Sequence, residues 1–134
     1  MTRSPVLAAA ALMAVFAMGA CAPEAEIKTE GQKPEYLGIR TALLEGDMVS
    51  FRVTLKGDAE AKEIEDYARC AAAQYALIRG AGFARHVRTN VAKSGGTTRG
   101  DAVWLISAAL PRGLKTIDAE VTVRDCGELG IPTV

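Results

Sequence analysis

The sequence predicts an α+β fold, a two-layer sandwich in which one helix packs on one face of an antiparallel sheet of about five strands. The predicted order is ββαβββ. Residues 49–55 alternate apolar and polar side chains, with the period of two of a strand that buries one face. Residues 64–78 instead repeat apolar side chains at the helical period, and glycine-rich turn signals separate these segments.

The first two strands are predicted to form a hairpin. Residues 36–44 are rich in β-branched, aromatic and aliphatic side chains. Glu45, Gly46 and Asp47 then supply a turn before the alternating segment at residues 49–55. Two such runs joined by a short turn are typical of an antiparallel pair.

A helix is predicted to begin after Gly57, with Asp58 as its N-cap and Glu60 in its first turn, where a carboxylate interacts favourably with the helix dipole. Much of its buried stripe is alanine, so the helix can lie close to a sheet. The stripe consists of Ile64, Tyr67, Ala68, Ala71, Tyr75 and Ile78. Gly80 and Gly82 are predicted to end the helix.

Three further strands are predicted at residues 83–91, 102–109 and 117–123. The second of these is apolar on both faces, which favours a central position in the sheet. The third is predicted to turn Val121 and Val123 inward. One helix and five strands of this kind make a single α+β sandwich.

Alternation within the strand that follows the helix assigns its side chains to two faces. Val87 and Val91 are predicted on the buried face. His86, Arg88 and Asn90 are predicted together on the outer face, while the neighbouring Arg85 has the opposite parity.

The N-terminal segment carries a separate signal. Arg3 precedes residues 6–18, which contain no charge, and the small residues Gly19 and Ala20 lead into Cys21. The apolar run is shorter than the roughly 20 residues that a bilayer-spanning helix needs. This arrangement resembles the signal peptide of bacterial lipoproteins, in which the peptide is removed before the cysteine and the thiol receives a diacylglycerol.

The resemblance implies that residues 1–20 are removed and that an acylated Cys21 anchors the protein to a membrane outside the cytoplasm. Residues 21–33, mostly polar or charged, are predicted to tether a single domain at residues 34–134. Ala22 stands where an aspartate would favour inner-membrane retention, so the resemblance favours the outer membrane, facing the periplasm. The alternatives are a secretory signal without lipidation and a transmembrane anchor.

The two remaining cysteines are predicted to pair. In an oxidising compartment, two cysteines of an exported domain usually form a disulfide, here Cys70 with Cys126. A redox-active pair is the functional alternative, but the spacing is not that of a Cys-x-x-Cys motif.

No catalytic residue, metal site or cofactor is predicted. His86 is the single histidine, and a metal site needs several convergent ligands. The glycines at residues 80–82 end a helix rather than begin one, which argues against a phosphate cradle. The chain has 16 basic and 16 acidic residues, a balance that argues against nucleic-acid binding.

One segment is locally basic. Residues 79–100 contain no acid, and their ionisable side chains centre on a hairpin with its tip at residues 94–97. These side chains are Arg79, Arg85, His86, Arg88, Lys93 and Arg99. An ordinary solvated face is the simplest interpretation. The functional interpretation is a site for an anionic partner, such as lipid headgroups, lipopolysaccharide phosphates or an acidic protein surface.

The domain also resembles a group of small uncharacterised envelope lipoproteins of Gram-negative bacteria. The resemblance is carried by CAAAQYALIRG at residues 70–80, GFARHVR at 82–88 and ALPRGL at 109–114. It implies no functional residue, because that group has no assigned activity. The leading hypothesis is a non-enzymatic binding or assembly module with an unknown envelope partner. The alternatives are an anion-binding module that uses the basic hairpin, and a hydrolase with an unrecognised site.

Overall fold

The computed structural model describes residues 33–134, so the predicted signal peptide, Cys21 and nearly all of the predicted tether lie outside the described residues. Five strands form one antiparallel sheet, and two helices complete an α+β sandwich, which confirms the predicted fold class. The elements are β1 (Tyr36–Leu43), β2 (Met48–Lys56), α1 (Ala61–Ile78), β3 (Phe83–Ser94), β4 (Thr97–Ser107), β5 (Thr116–Asp118) and α2 (Ala119–Leu129). The strand order across the sheet is β1-β2-β4-β3-β5.

Both predicted hairpins are present. In the first, β1 pairs antiparallel with β2, and the Leu44 amide donates to the Met48 carbonyl oxygen at 2.9 Å across the turn. In the second, β3 and β4 pair until Ser94 faces Thr97. Gly95 and Gly96 form the two-residue turn, both with positive φ, as the tight turns of twisted hairpins require. β3 therefore ends later, and β4 begins earlier, than the sequence predicts.

The core lies between the sheet and α1. Alternate residues of β2, Phe51, Val53 and Leu55, are fully buried beneath the helix. The alanine-rich stripe lets the helix approach so closely that a Cβ at position 100 would overlap the Cγ2 methyl of Ile64. Ile78, predicted within the stripe, is instead 62% exposed, because it is the last residue of α1 and extends beyond the sheet-facing core.

The start of α1 differs from the prediction. Its N-cap is Glu60 rather than Asp58, and the Glu63 carboxylate accepts a hydrogen bond from the Glu60 amide at 2.9 Å. The Ala59 amide donates to the Thr98 hydroxyl at 3.0 Å, so β4 holds the chain in an extended connection before the helix begins. Asp58 forms an ion pair with Lys93 of β3.

The predicted fifth strand at residues 117–123 is wrong over most of its length. β5 has three residues, and the chain then turns into α2. The Asp118 carboxylate caps this helix by accepting a hydrogen bond from the Val121 amide at 3.1 Å, and Gly130 ends it in the left-handed conformation. Val121, predicted to point inward, is 44% exposed. Neither helix within residues 33–134 is both long and apolar enough to cross a membrane.

The predicted cysteine pair is present as a disulfide that joins the two helices. Cys70 lies on α1 and Cys126 on α2, with Cα atoms 6.0 Å apart. Both side chains are buried. Because Cys126 lies on α2, the bond fixes the C-terminal helix beside α1.

Candidate functional site

The register of the sheet brings arginines from separate strands onto the face that points away from α1. Arg40 of β1 is paired with Arg52 of β2. Arg52 is paired in turn with Asp101 of β4, and Thr54 is paired with Arg99. Because directly paired residues share a face of the sheet, Arg40, Arg52 and Arg99 lie together on the outer face.

A β-bulge in β3 decides which of the predicted basic residues join them. His86 is paired with Trp104, whereas Arg88 is paired with Val103, the preceding residue of β4, so Val87 has no partner of its own. This extra residue shifts the alternation by one position. The prediction that His86, Arg88 and Asn90 share the outer face is therefore wrong for His86, which faces the helix layer.

The same bulge corrects two other predicted placements. Val87, predicted to be buried, is the bulged residue and is 44% exposed. Val91 keeps its predicted side of the sheet, paired with Gly100 on the helix-facing side, but is 40% exposed. Arg85, whose parity set it apart in the sequence, lies on the outer face with Arg88, because the shift falls between them.

Four exposed arginines of the outer face form what we call the arginine face: Arg40, Arg52, Arg88 and Arg99. Three of them line a shallow depression of about 540 Å³, together with Gly38 and Thr54. Arg88 lies further along the sheet. Like charges placed directly opposite across two strands repel each other, so the Arg40–Arg52 pair is unfavourable in isolation.

The acid on this part of the face neutralises one arginine only in part. Asp101 accepts a hydrogen bond from the Ser50 hydroxyl at 2.6 Å and lies 3.9 Å from Nε of Arg52. Among residues 33–134, Arg40 and Arg99 have no ion-pair partner within 4 Å. The depression is therefore cationic and accessible, an arrangement suited to an anionic group.

The remaining residues of the predicted basic patch do not join the arginine face. Arg85 is half-buried, because the loop before β5 crosses its side chain; a Cβ at Gly113 would lie 3.5 Å from Cδ of Arg85. Lys93 is paired with Asp58. Arg79 is the C-cap of α1 and lines a different cleft. The structure thus divides the predicted patch and keeps Arg88 and Arg99 on the arginine face.

Sequence reasoning missed Arg40 and Arg52. Both lie in the first hairpin, about 50 residues before Arg99, so no local run of basic residues marks them. Arg52 occupied a polar position of an alternating strand, which indicates an exposed face. Pairing that strand with its two neighbours was the additional step that would have located the cluster.

His86 lies in a polar cleft on the helix side of the sheet. Its Nε2 atom is 2.6 Å from the Thr89 hydroxyl, and its ring stacks edge-to-face on Trp104 with centroids 5.1 Å apart. Burial lowers the pKa of His86 below its ordinary value, and the positive charge of Lys115 lowers the pKa further, while Glu65 acts in the opposite direction. The imidazole is therefore neutral at pH 7.

Neither a catalytic triad nor a metal cluster is evident in the part of the chain that the structure describes. The described residues that line the His86 cleft include Glu65 and Asp66 but neither serine nor cysteine. Across residues 33–134, no three His, Cys, Asp or Glu side chains converge as metal ligands would. The arginine face is therefore the best-defined candidate site among the described residues.

The fold and this site define a class: a small α+β domain with helices on one side of its sheet and an arginine-bearing face on the other. A family model described as the YNQ4 C-terminal domain matches residues 36–130, which include every strand and both helices. The chain belongs to this family.

A relative from Paracoccus denitrificans bears the name "Uncharacterized 26.9 kDa protein in nqo8 5'region". The two are 30% identical over an alignment of 112 residues, which covers 79% of this chain and 44% of that protein. The chain therefore spans less than half the length of this relative. No solved structure matches the chain.

Proposed function

We propose that the protein is a lipid-anchored, non-enzymatic binding module of the cell envelope, and that its arginine face binds the phosphates of anionic lipid headgroups. One observation carries this proposal. Arg40 and Arg52 are directly opposite each other, with Arg99 in the diagonal position, and Arg40 and Arg99 have no ion-pair partner among residues 33–134.

The spacing of these arginines suits a phosphate. Directly opposite positions lie about 5 Å apart and diagonal positions about 7 to 8 Å apart, within reach of long side chains. Each guanidinium presents a planar fork of N–H donors that matches phosphate oxygens. A bound phosphate would also relieve the repulsion between Arg40 and Arg52, so that binding and stability would favour the same state.

The proposed anchor supports a membrane surface as the partner. Lipidation of Cys21 would leave twelve residues before Pro34, a chain that reaches at most about 40 Å when fully extended. Arg40 lies in β1, the first element after this segment. The arginine face would therefore remain within reach of the headgroups to which the lipid is anchored, and an anionic leaflet attracts basic side chains close to it.

The anchor is testable without reference to the arginine face. We expect the N-terminal residue of the protein purified from membranes to be Cys21, with a diacylglycerol on its sulfur atom. Mass spectrometry of the N-terminal peptide measures this modification. We also expect the lipid to anchor the protein in the outer membrane. Cys21→Ala should leave an uncleaved precursor or a mislocalised protein. Detection of an intact Met1, or of a Cys21 without lipid, would contradict the anchor.

Binding by the face is testable in a chain without the anchor. The described residues form one body with its own core, so a chain that begins at Ala22 retains the whole fold. We expect this chain to co-sediment with phosphatidylglycerol vesicles at 10 mM salt and to leave phosphatidylcholine vesicles unbound. Binding should weaken as salt shortens the Debye length from about 30 Å to about 3 Å at 1 M.

A third set of vesicles distinguishes the sources of phosphate. Equal binding to vesicles that carry lipopolysaccharide would show that the arginine face recognises phosphate in either lipid. Markedly tighter binding to the lipopolysaccharide vesicles would identify lipopolysaccharide, rather than the glycerophospholipid, as the partner. No sedimentation with any anionic vesicle at 10 mM salt would contradict a lipid partner and favour an acidic protein surface. Neither result depends on the state of Cys21.

A further inference from the structure

A separate cleft lies on the opposite side of the sheet, between α1 and the short edge strand β5. Its volume is about 290 Å³, the size of a small-molecule site. Its lining includes Asp66 and Arg69 of α1, His86 of β3, Trp104 of β4, and Lys115 and Ile117 at β5. None of these side chains belongs to the arginine face.

Two buried N–H donors on residues of this cleft have no partner among the described residues, and neither has the buried Thr116 hydroxyl. Trp104 is only 4% exposed, and its Nε1–H has no acceptor among the described residues. Nε of Arg69 is also buried without an acceptor. Buried polar groups are nearly always paired, and both of these groups can only donate. An acceptor held in the cleft is the group that would satisfy them.

The charges around the cleft favour an anionic acceptor. Lys115 contributes an ammonium from a backbone with φ of 62°, a conformation that is costly for a residue with a Cβ and that is often retained at binding sites. The Asp66 carboxylate already forms ion pairs with Nζ of Lys62 at 2.5 Å and with Nη2 of Arg69 at 3.4 Å, so its negative charge is offset. Glu65, the other acid of the lining, is exposed.

We propose that this cleft binds a small monocarboxylate with an apolar body. The carboxylate oxygens would accept from Trp104 Nε1 and Arg69 Nε, with Lys115 supplying the balancing charge. The apolar body would lie against Ile117 and the aromatic pair of His86 and Trp104, whose centroids are 5.1 Å apart. The limited volume and the apolar wall favour a compact ligand over a sugar phosphate or a nucleotide.

The chain offers a direct reporter, because Trp104 is its single tryptophan and gives one indole N–H resonance. We expect sodium hexanoate, added to the ¹⁵N-labelled chain from Ala22 to Val134, to move this resonance downfield in a saturable manner. Hexanamide, which keeps the carbonyl but lacks the charge, should bind at least fivefold more weakly. Trp104→Phe keeps the aromatic surface, removes the donor, and should weaken hexanoate binding in calorimetry.

A matched pair of neutralised arginines tests the role of charge. Arg69→Gln should weaken hexanoate binding at least fivefold, whereas Arg124→Gln, on the exposed surface of α2, should leave it unchanged. An indole resonance that does not move up to 50 mM hexanoate would overturn the proposal. Equal binding of hexanoate and hexanamide, or equal weakening by both arginine substitutions, would overturn it as well.

Discussion

Reduction of the Cys70–Cys126 disulfide is expected to lower the free energy of unfolding by about 4 kcal/mol, on the loop-entropy account of cross-links. The two cysteines are 56 residues apart, so the bond closes a long loop and removes many conformations from the unfolded chain. It also holds α2, which has few contacts with β5, against α1. A loss of this size is a large fraction of the stability of a domain this small.

Urea unfolding of the oxidised and reduced chain measures the effect with both sulfur atoms retained. The double substitution Cys70→Ala with Cys126→Ala should give at least the same loss, because both side chains are fully buried and their sulfur atoms are also removed. Peptide mapping without reductant verifies the bond. Equal unfolding free energies in the two redox states, or free thiols in the native protein, would contradict this account.

The parts of the fold that sequence reasoning predicted correctly are those with a strong local pattern. In β2, Val49, Phe51, Val53 and Leu55 alternate with polar residues, and all four are buried. The stripe of α1 is similarly local and its central residues are buried. Each pattern extends along most of one element, so packing against the other layer of the sandwich reinforces it.

The second helix was missed because its first residues fit two patterns. Ile117, Val121 and Val123 are β-branched and occupy odd-numbered positions, which is typical of a strand. The buried residues of α2 are instead Ala119, Thr122 and Cys126, spaced at three and four residues, but none of them is a large apolar residue. The deciding signals were the cap at Asp118 and the glycine at position 130, which period-based reasoning underweighted.

The arginine face could not be located from the sequence, because its composition depends on strand pairing. Arg40 and Arg52 become neighbours through the register of β1 and β2. The bulge at Val87 then determines that Arg88 faces outward and His86 inward. The sequence of β3 does not indicate a bulge, because there is no glycine between Phe83 and Ser94. The predicted patch contributed Arg88 and Arg99 to the arginine face, while its other members do not belong to that face and Arg40 and Arg52 were missed.

A pair of charge-reversed variants tests whether one defined face of the sheet binds anionic lipid. Arg40→Glu with Arg99→Glu reverses two exposed members of the arginine face. Lys62→Glu with Arg124→Glu makes the same change in net charge on the helix layer, where the side chains are 79% and 67% exposed. All four side chains are at the surface, so circular dichroism should show an unchanged fold in both variants.

Co-sedimentation of both variants with phosphatidylglycerol vesicles at 10 mM salt is the most direct measurement. Each arginine near an anionic surface contributes about 1 kcal/mol to binding, so losing two should weaken binding by about thirtyfold or more. We expect this loss of vesicle binding for the arginine-face variant. Binding of the helix-layer variant should change by no more than about threefold. Equal weakening of the two would show that net charge alone drives binding and would contradict a defined lipid-binding face.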